Sequence, residues 1–264
     1  MDKLLEIKNL KVSFYLDDKV FTAVNGVNLE IINDRVLVLA GESGSGKTIT
    51  ALSIAKILPA NASIDSGEIK FEGRDLLKID EKSLSKIRGK EIAYIFQEPT
   101  AYLNPVYTIG NQIAEAIILH QDKNRKDAAK ETLKLLGRVR INDPERVFFD
   151  YPHQLSGGMN QRALIAMALA CKPKLLIADE PTTSLDVTIE AEILKLLMDL
   201  KKELKFSLLF ITHNLSIAKK IADKISIMYK GEIVEEGACE SIFGSPRHFH
   251  TKELINAYQK IGKI

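Results

Sequence analysis

Cysteine is scarce in this chain of 264 residues: only Cys171 and Cys239 occur. They are far apart and share no metal-ligand spacing, so they read as two thiols of a reducing compartment, not a disulfide framework. An excess of one charge is also missing. The 37 Lys and Arg against 35 Asp and Glu leave a formal net charge of +2, which offers no compositional support for a nucleic-acid binder. No uncharged apolar run nears the roughly 18 residues that span a bilayer; the longest, Ala163 to Cys171, is about half that. The opening MDKLLEIKNL holds no secretory apolar stretch. Low-complexity segments, heptads and internal repeats are absent. What remains is a 45% hydrophobic chain, long enough for one large domain or for a core carrying an inserted subdomain.

The first third has β patterning. LLEIKNLKVSF, KVFTAVNGVNLEI and RVLVLA are rich in apolar and β-branched residues with turn residues between them. VLVLA is an unbroken apolar run, as expected of a strand covered on both faces. It leads into a glycine-rich turn and then ITALSIAKIL, a helix expected to run to Pro59. SGEIKFEGRDLL predicts two short strands about a Glu-Gly turn, and KEIAYIFQEP a buried strand stopped by Pro99. From about Thr100 to Cys171 the apolar spacing is helical, in TIGNQIAEAIILH, RKDAAKETLKLLGRV and SGGMNQRALIAMALA. Then follow a strand (KLLIADE), a helix (IEAEILKLLMDLKKEL), a strand (SLLFITH), a helix (LSIAKKIAD) and a hairpin turning at Lys-Gly (KISIMYKGEIVEEG). The alternation predicts an α/β sheet with parallel central strands.

Gly41, Glu42, Ser43, Gly44, Ser45, Gly46, Lys47 and Thr48 fit G-x-x-x-x-G-K-[ST] between a strand and a helix, the context that marks a phosphate-binding loop. The glycines let successive N–H groups face the phosphates, and the helix N-terminus adds to the field. Lys47 is expected to bridge the β- and γ-phosphates and Thr48 to hold Mg²⁺. The acidic partner of such a loop is LLIADE, where Asp179 would serve the metal and Glu180 is the best general base for the attacking water. From spacing alone, Gln97 is as well read as an ordinary exposed glutamine at a strand end, and His213 as a structural histidine. The alternatives are an amide that touches metal or water and an imidazole that orients the water.

A second glycine pair complicates this. Ser156, Gly157 and Gly158 precede the apolar helix MNQRALIAMALA, with Ser156 placed as N-cap. That is either an ordinary capped helix or a second anion site. One nucleotide is already wrapped by the first loop. The economical reading therefore sends Leu155 to Gln161 across to the γ-phosphate held by another copy or a related chain, two chains pairing head to tail around two ATPs.

LSGGMNQR resembles the signature of ABC-type ATPases. Read in order with GESGSGKT, IFQEP, LLIADEPTTSLD and ITHN, the resemblance covers essentially the whole chain. It implies a RecA-like P-loop core with an N-terminal antiparallel β-subdomain and an inserted helical subdomain. It also implies that ATP and Mg²⁺ are the cofactors. Gln97 becomes the Q-loop residue that meets the metal, His213 the H-loop residue, and Ser184, Leu185 and Asp186 the D-loop. Ser156, Gly157, Gly158, Gln161 and Asp186 join the nucleotide-binding set. The family stacks adenine on an aromatic near the end of the first strand; Phe14 is the candidate, with Tyr15 and Phe21 as rivals. In boundaries, 1–97 and 171–240 form the core, 98–170 the helical subdomain and 241–264 a short tail.

IFQEPTAYLNPVYTIGNQIAEAI, YPHQLSGGMNQR, ADEPTTSLDVTIEAEIL and IFGSPRHFHTKELI are most similar to the ATPases of dipeptide, oligopeptide and nickel importers. Three departures stand out: Asn33-Asp34-Arg35 in place of a Gly-Glu turn, Ile49 after Thr48, and HFHT in the tail. Longer relatives carry cysteines for an iron–sulfur cluster in a further C-terminal segment, and no cluster is expected here. The resemblance implies ATP hydrolysis driving a peptide importer, with a nickel or metal-chelate importer as the alternative. The implied partners are two transmembrane permeases and a second ATPase chain, a paralogue more than an identical copy. An extracytoplasmic solute-binding protein takes part indirectly, and no nucleic acid is involved. The site of action is the cytoplasmic face of the membrane. The rivals are a soluble ABC-type ATPase acting on ribosomes or DNA and a catalytically silent ATP-binding scaffold.

Overall fold

The computed structural model describes residues 2–16, 19–183 and 185–261. In chain order its elements are β1 (Lys3–Leu16), β2 (Lys19–Ile32), β3 (Val36–Ala40), α1 (Lys47–Ile54), β4 (Ala62–Phe71), β5 (Arg74–Asp75) and α2 (Glu81–Ile87). There follow β6 (Ile92–Ile95), α3 (Pro99–Tyr102), α4 (Ile109–Gln121), α5 (Arg125–Arg138), α6 (Pro144–Phe149), α7 (Gly157–Leu169), β7 (Leu175–Asp179) and α8 (Val187–Leu204). The chain ends with β8 (Ser207–Thr212), α9 (Leu215–Ile221), β9 (Lys224–Tyr229), β10 (Glu232–Ala238), α10 (Cys239–Gly244) and α11 (Phe249–Ile261). Two compact units emerge: residues 1–84 with 207–264, and residues 85–206. The expected helical subdomain, 98–170, falls wholly inside the second, which also takes in β6, β7 and α8.

The first unit pairs two kinds of sheet. β1 is antiparallel to β2 on one side and β4 on the other, and β4 pairs with β5. Glu72 and Gly73, both at positive φ, turn the chain between β4 and β5. The other sheet is built on β3, parallel to both β8 and β9, with β10 antiparallel to β9. Every residue of β3 is buried, which is why VLVLA carries no polar alternation. The hairpin turn falls at Lys230 and Gly231 as expected, both at positive φ (47° and 87°), the twist that two-residue hairpins favour. At the departure Asn33-Asp34-Arg35, Asp34 takes the left-handed conformation itself (φ 54°), and its N–H donates to Ser207 Oγ at 2.9 Å. Aspartate tolerates that region better than most residues, so the turn forms without glycine.

α1 is shorter than expected, stopping at Ile54 and not running on to Pro59. Lys56 is left-handed (φ 50°). Its N–H donates to Ser53 O at 3.1 Å and that of Ile57 to Leu52 O at 3.1 Å, a Schellman closure reached with lysine in place of glycine.

In the second unit β6 runs parallel to β7, and most helices, though not α3, are started by side chains at their N-caps. Thr108, Asn124, Asp143, Ser156 and Asp186 each accept an N–H from the first turn of α4, α5, α6, α7 and α8. Gly110 allows a close packing: a Cβ there would lie 2.3 Å from the Phe148 ring. The strand expected to reach Pro99 ends at Ile95. Its last partner is Ala178, opposite Ile95, so Phe96, Gln97 and Glu98 leave the ladder before the proline. α2, α6, α10 and α11 had no counterpart in the apolar periodicity. The first three have only six or seven residues, too short for a period to register. No helix among the described residues is long and apolar enough to cross a membrane.

Candidate functional site

In the first unit the register Ala40↔Thr212 sets Gly41 and His213 side by side, each one residue beyond a paired strand end. The loop from Gly41 to Thr48 is shaped by its glycines. Gly44 and Gly46 have φ of 79° and 105°, conformations costly for side-chain-bearing residues. A Cβ on Gly41 would lie 2.2 Å from Met228 O, and one on Gly46 2.5 Å from Ala23 O. The backbone of β9 and of β2 thus closes on the loop from outside. The Gly231 N–H donates to Ser45 O at 2.9 Å, tying the β9–β10 turn to the same loop. Lys47 is buried (4% exposed). Its ammonium donates to Gly41 O at 2.9 Å and Glu42 O at 2.8 Å, so the cation is held inside the curl of the loop. This cradle of backbone N–H groups around one lysine fits a polyphosphate. Ser43 lies exposed within it, Thr48 opens α1 beside Lys47, and His213 is exposed next to the cap of α9, Asn214.

Three aromatics compete at the end of β1. Phe14 and Phe21 are cross-strand partners, and Phe14 is half-buried whereas Phe21 is exposed. Tyr15 is otherwise engaged: its hydroxyl donates to Asp65 Oδ1 at 2.9 Å, and the Ser13 hydroxyl to Oδ2 at 2.5 Å. Its phenol is raised above the usual tyrosine range by that carboxylate. The pinned ring leaves Phe14 as the better candidate.

The second unit carries the acidic side. Asp179, the last residue of β7, is 4% exposed, and its Oδ2 accepts the Tyr94 hydroxyl at 2.8 Å. Glu180 follows in the left-handed region (φ 44°), a strained state for a side-chain-bearing residue that clusters at functional sites. Its Oε2 accepts the Thr183 hydroxyl at 2.9 Å and lies 3.4 Å from Gln97 Nε2. The parallel register Ile95↔Ala178 explains this meeting, since Gln97 and Glu180 are each two residues past the pair. The sequence reading missed Tyr94, because a tyrosine inside an apolar strand reads as core.

The glycine pair lies at the start of α7. Ser156 is exposed, and its Oγ accepts the Met159 N–H at 3.3 Å. Gly157 and Gly158 are helical, and a Cβ on Gly158 would come within 2.9 Å of Ile189 Cγ2. A surface cavity of about 590 Å³ opens beside them, with Arg140, Arg146, Arg162 and Lys195 among its lining. Asp186 caps α8 through Ile189 N at 3.1 Å, and Leu185 lies near Gly157; Ser184 lies outside the described residues. Gln161 differs from its neighbours. It is fully buried, and neither amide atom has a hydrogen-bond partner among the described residues.

Comparison with known proteins agrees with this arrangement. The family described as ABC transporter matches residues 24–183. A probable peptide ABC transporter ATP-binding protein of Sinorhizobium fredii is 47% identical over 97% of this chain and 77% of its own length. An oligopeptide transport ATP-binding protein of Bacillus subtilis is 46% identical, covering 96% of this chain and 71% of its own. Other relatives are longer: the chain spans 47% of a peptidoglycan transport ATP-binding protein of Agrobacterium fabrum, at 49% identity. Among solved structures, the ATP-binding cassette MJ0796 in a dimeric post-hydrolysis state with ADP and Pi superposes with a TM-score of 0.79. It is 27% identical and covers 93% of this chain and 100% of its own. The fold is that of an ABC ATPase, an α/β P-loop core with an antiparallel β-subdomain and a helical subdomain. The chain belongs to the ABC transporter family, and its class is the ATP-binding, ATP-hydrolysing subunit.

Proposed function

We propose that this chain hydrolyses ATP to drive an importer of peptides across a membrane. The observation that carries the ATP part is the loop around Lys47, where Gly41 and Gly46 admit no Cβ and the buried ammonium sits where phosphate charge would fall. Support for peptide cargo comes from the relatives, whose names specify peptides or oligopeptides. A nickel or metal-chelate importer is the alternative.

ATP and Mg²⁺, when bound, supply the phosphoanhydride bond and the charge that holds its oxygens in place. Lys47 and the N–H groups of Gly41, Ser43, Gly44, Ser45 and Gly46 bind phosphate. Thr48, Gln97 and Asp179 are hard oxygen donors that suit Mg²⁺, a metal that takes one or two protein oxygens besides phosphate and water. Glu180 accepts the proton of the attacking water, and His213 orients that water. Phe14 stacks on the base. Ser156, Gly157 and Gly158, together with Asp186, bind the γ-phosphate of a second ATPase chain; Gln161, being fully buried, does not face it.

The partners in this reading are two permeases, a second ATPase chain and, through the permeases, an external solute-binding protein. The permeases would seat on the surface near Gln97, placing the chain at the cytoplasmic face of the membrane, where closure of the ATPase pair becomes a movement of the permeases. Residues 1–97 with 171–240 then act as core and 98–170 as the part that carries the second phosphate site. Glu180→Gln should keep ATP binding and cut turnover about 10²–10⁴-fold; unchanged turnover would remove Glu180 as the base. The same variant, tagged and trapped with ATP and Mg²⁺, is the bait for a pull-down from native membranes. Permeases with a second ATPase support the reading, and ribosomal or DNA-bound partners alone overturn it.

A further inference from the structure

The end of β6 and the segment just after it reach both carboxylates at the end of β7. Gln97 approaches Glu180, as described. Tyr94, the penultimate residue of β6, donates its hydroxyl to Asp179 at 2.8 Å. That contact suits both partners. A largely buried phenol needs an acceptor, and a carboxylate 4% exposed needs donors. The phenol has the one proton of the pair to give, so Tyr94 is the donor and the carboxylate the acceptor. One oxygen engaged in this way restrains the orientation of the carboxylate.

The Tyr94 ring is itself held. Its centroid lies 4.4 Å from that of Phe96, tilted by 34°. Phe96 in turn stacks on Tyr102 at 3.8 Å with the planes 8° apart. Tyr102 ends α3 and is 49% exposed. Three rings thus lead from the exposed edge of Tyr102 to the carboxylate at the end of β7.

We propose that Tyr94 is a positioning residue for the Mg²⁺ carboxylate Asp179, and that the stack Tyr94–Phe96–Tyr102 makes that position responsive to displacement of the exposed Tyr102 ring. This rests on the reading of Asp179 as a metal residue. Tyr94 acts through Asp179. Outer partners of this kind commonly set metal affinity, and their loss costs about 10–100-fold.

The test uses the intact chain with Mn²⁺ in place of Mg²⁺. ATP affinity is measured with Mn²⁺ and with EDTA, and protein-bound Mn²⁺ is followed by its paramagnetic resonance. Tyr94→Phe keeps the rings and removes only the hydroxyl. It should lower the Mn²⁺-dependent gain in ATP affinity about tenfold, with affinity in EDTA unchanged. In an Asp179→Asn background the same change should have no further effect, which a merely structural role for Tyr94 would not produce. Tyr102→Ala should shift the gain in the same direction by about threefold. A Tyr94→Phe protein with the wild-type gain overturns the positioning role. A Tyr102→Ala protein with the wild-type gain overturns the ring stack. Wild-type protein whose ATP affinity ignores Mn²⁺ would instead sink the underlying reading of Asp179, a result separable from both.

Discussion

Two helix starts in this chain offer backbone N–H groups to an anion, and they are made differently. At the first, Lys47 and Ser45 are each 4% exposed, two glycines hold φ of 79° and 105°, and neighbouring backbone leaves no room for a Cβ at Gly41 or Gly46. At the second, Ser156 and Gly157 are exposed, both glycines are helical, and the cap is an ordinary hydrogen bond of 3.3 Å. The first loop closes around its own lysine. The second presents one open face, which in the proposed reading a partner's phosphate completes. A site that encloses its ligand must be shaped by strained backbone; a site completed by another molecule needs only an accessible helix end.

The contrast can be broken most severely at the first loop. Gly46→Ala should abolish measurable ATP binding and destabilise the fold by at least about 1–3 kcal/mol from strain alone, seen in ATP titration and thermal melting. Lys47→Ala keeps the backbone and should weaken ATP about 10–100-fold, the worth of a charged hydrogen bond, read with a fluorescent analogue. Unchanged affinity would mean that the loop is not the nucleotide's cradle. At the second loop, Ser156→Arg should leave ATP affinity of the single chain within a factor of about two, since an exposed cap contributes nothing to the first loop, yet prevent ATP-driven pairing in size-exclusion chromatography. Pairing that survives would refute the partner-completed reading. Ser156→Ala is the mildest change, costing about 1 kcal/mol of helix stability; a loss much larger in a melt would show that the second loop, too, is structurally strained.

Legibility followed distance along the chain. The cradle, the Lys230–Gly231 turn and the capped start of α7 were readable because each depends on consecutive residues. Element ends were less so: α1 stops at Ile54 through a left-handed Lys56, and β6 stops at Ile95 because its pairing with β7 runs out there. Neither has a sequence mark, and Pro59 and Pro99 misled by standing a few residues later. Gln161 was grouped with the phosphate-facing residues on its motif, and its burial became visible only with α7 in place. The choice among Phe14, Tyr15 and Phe21 narrowed only when Asp65 was found holding Tyr15.

By itself the sequence determined the chemistry on offer: a phosphate loop, an acidic strand end, a second helix start and the alternation of strands and helices. Those are set by local conformational preference and by which side chains can hide from water. Only tertiary structure decided which groups meet. Tyr94 and Asp179 are 85 residues apart in the chain, and Tyr15 and Asp65 are 50 apart. Their contacts come from the register of neighbouring strands, which no stretch of consecutive residues encodes.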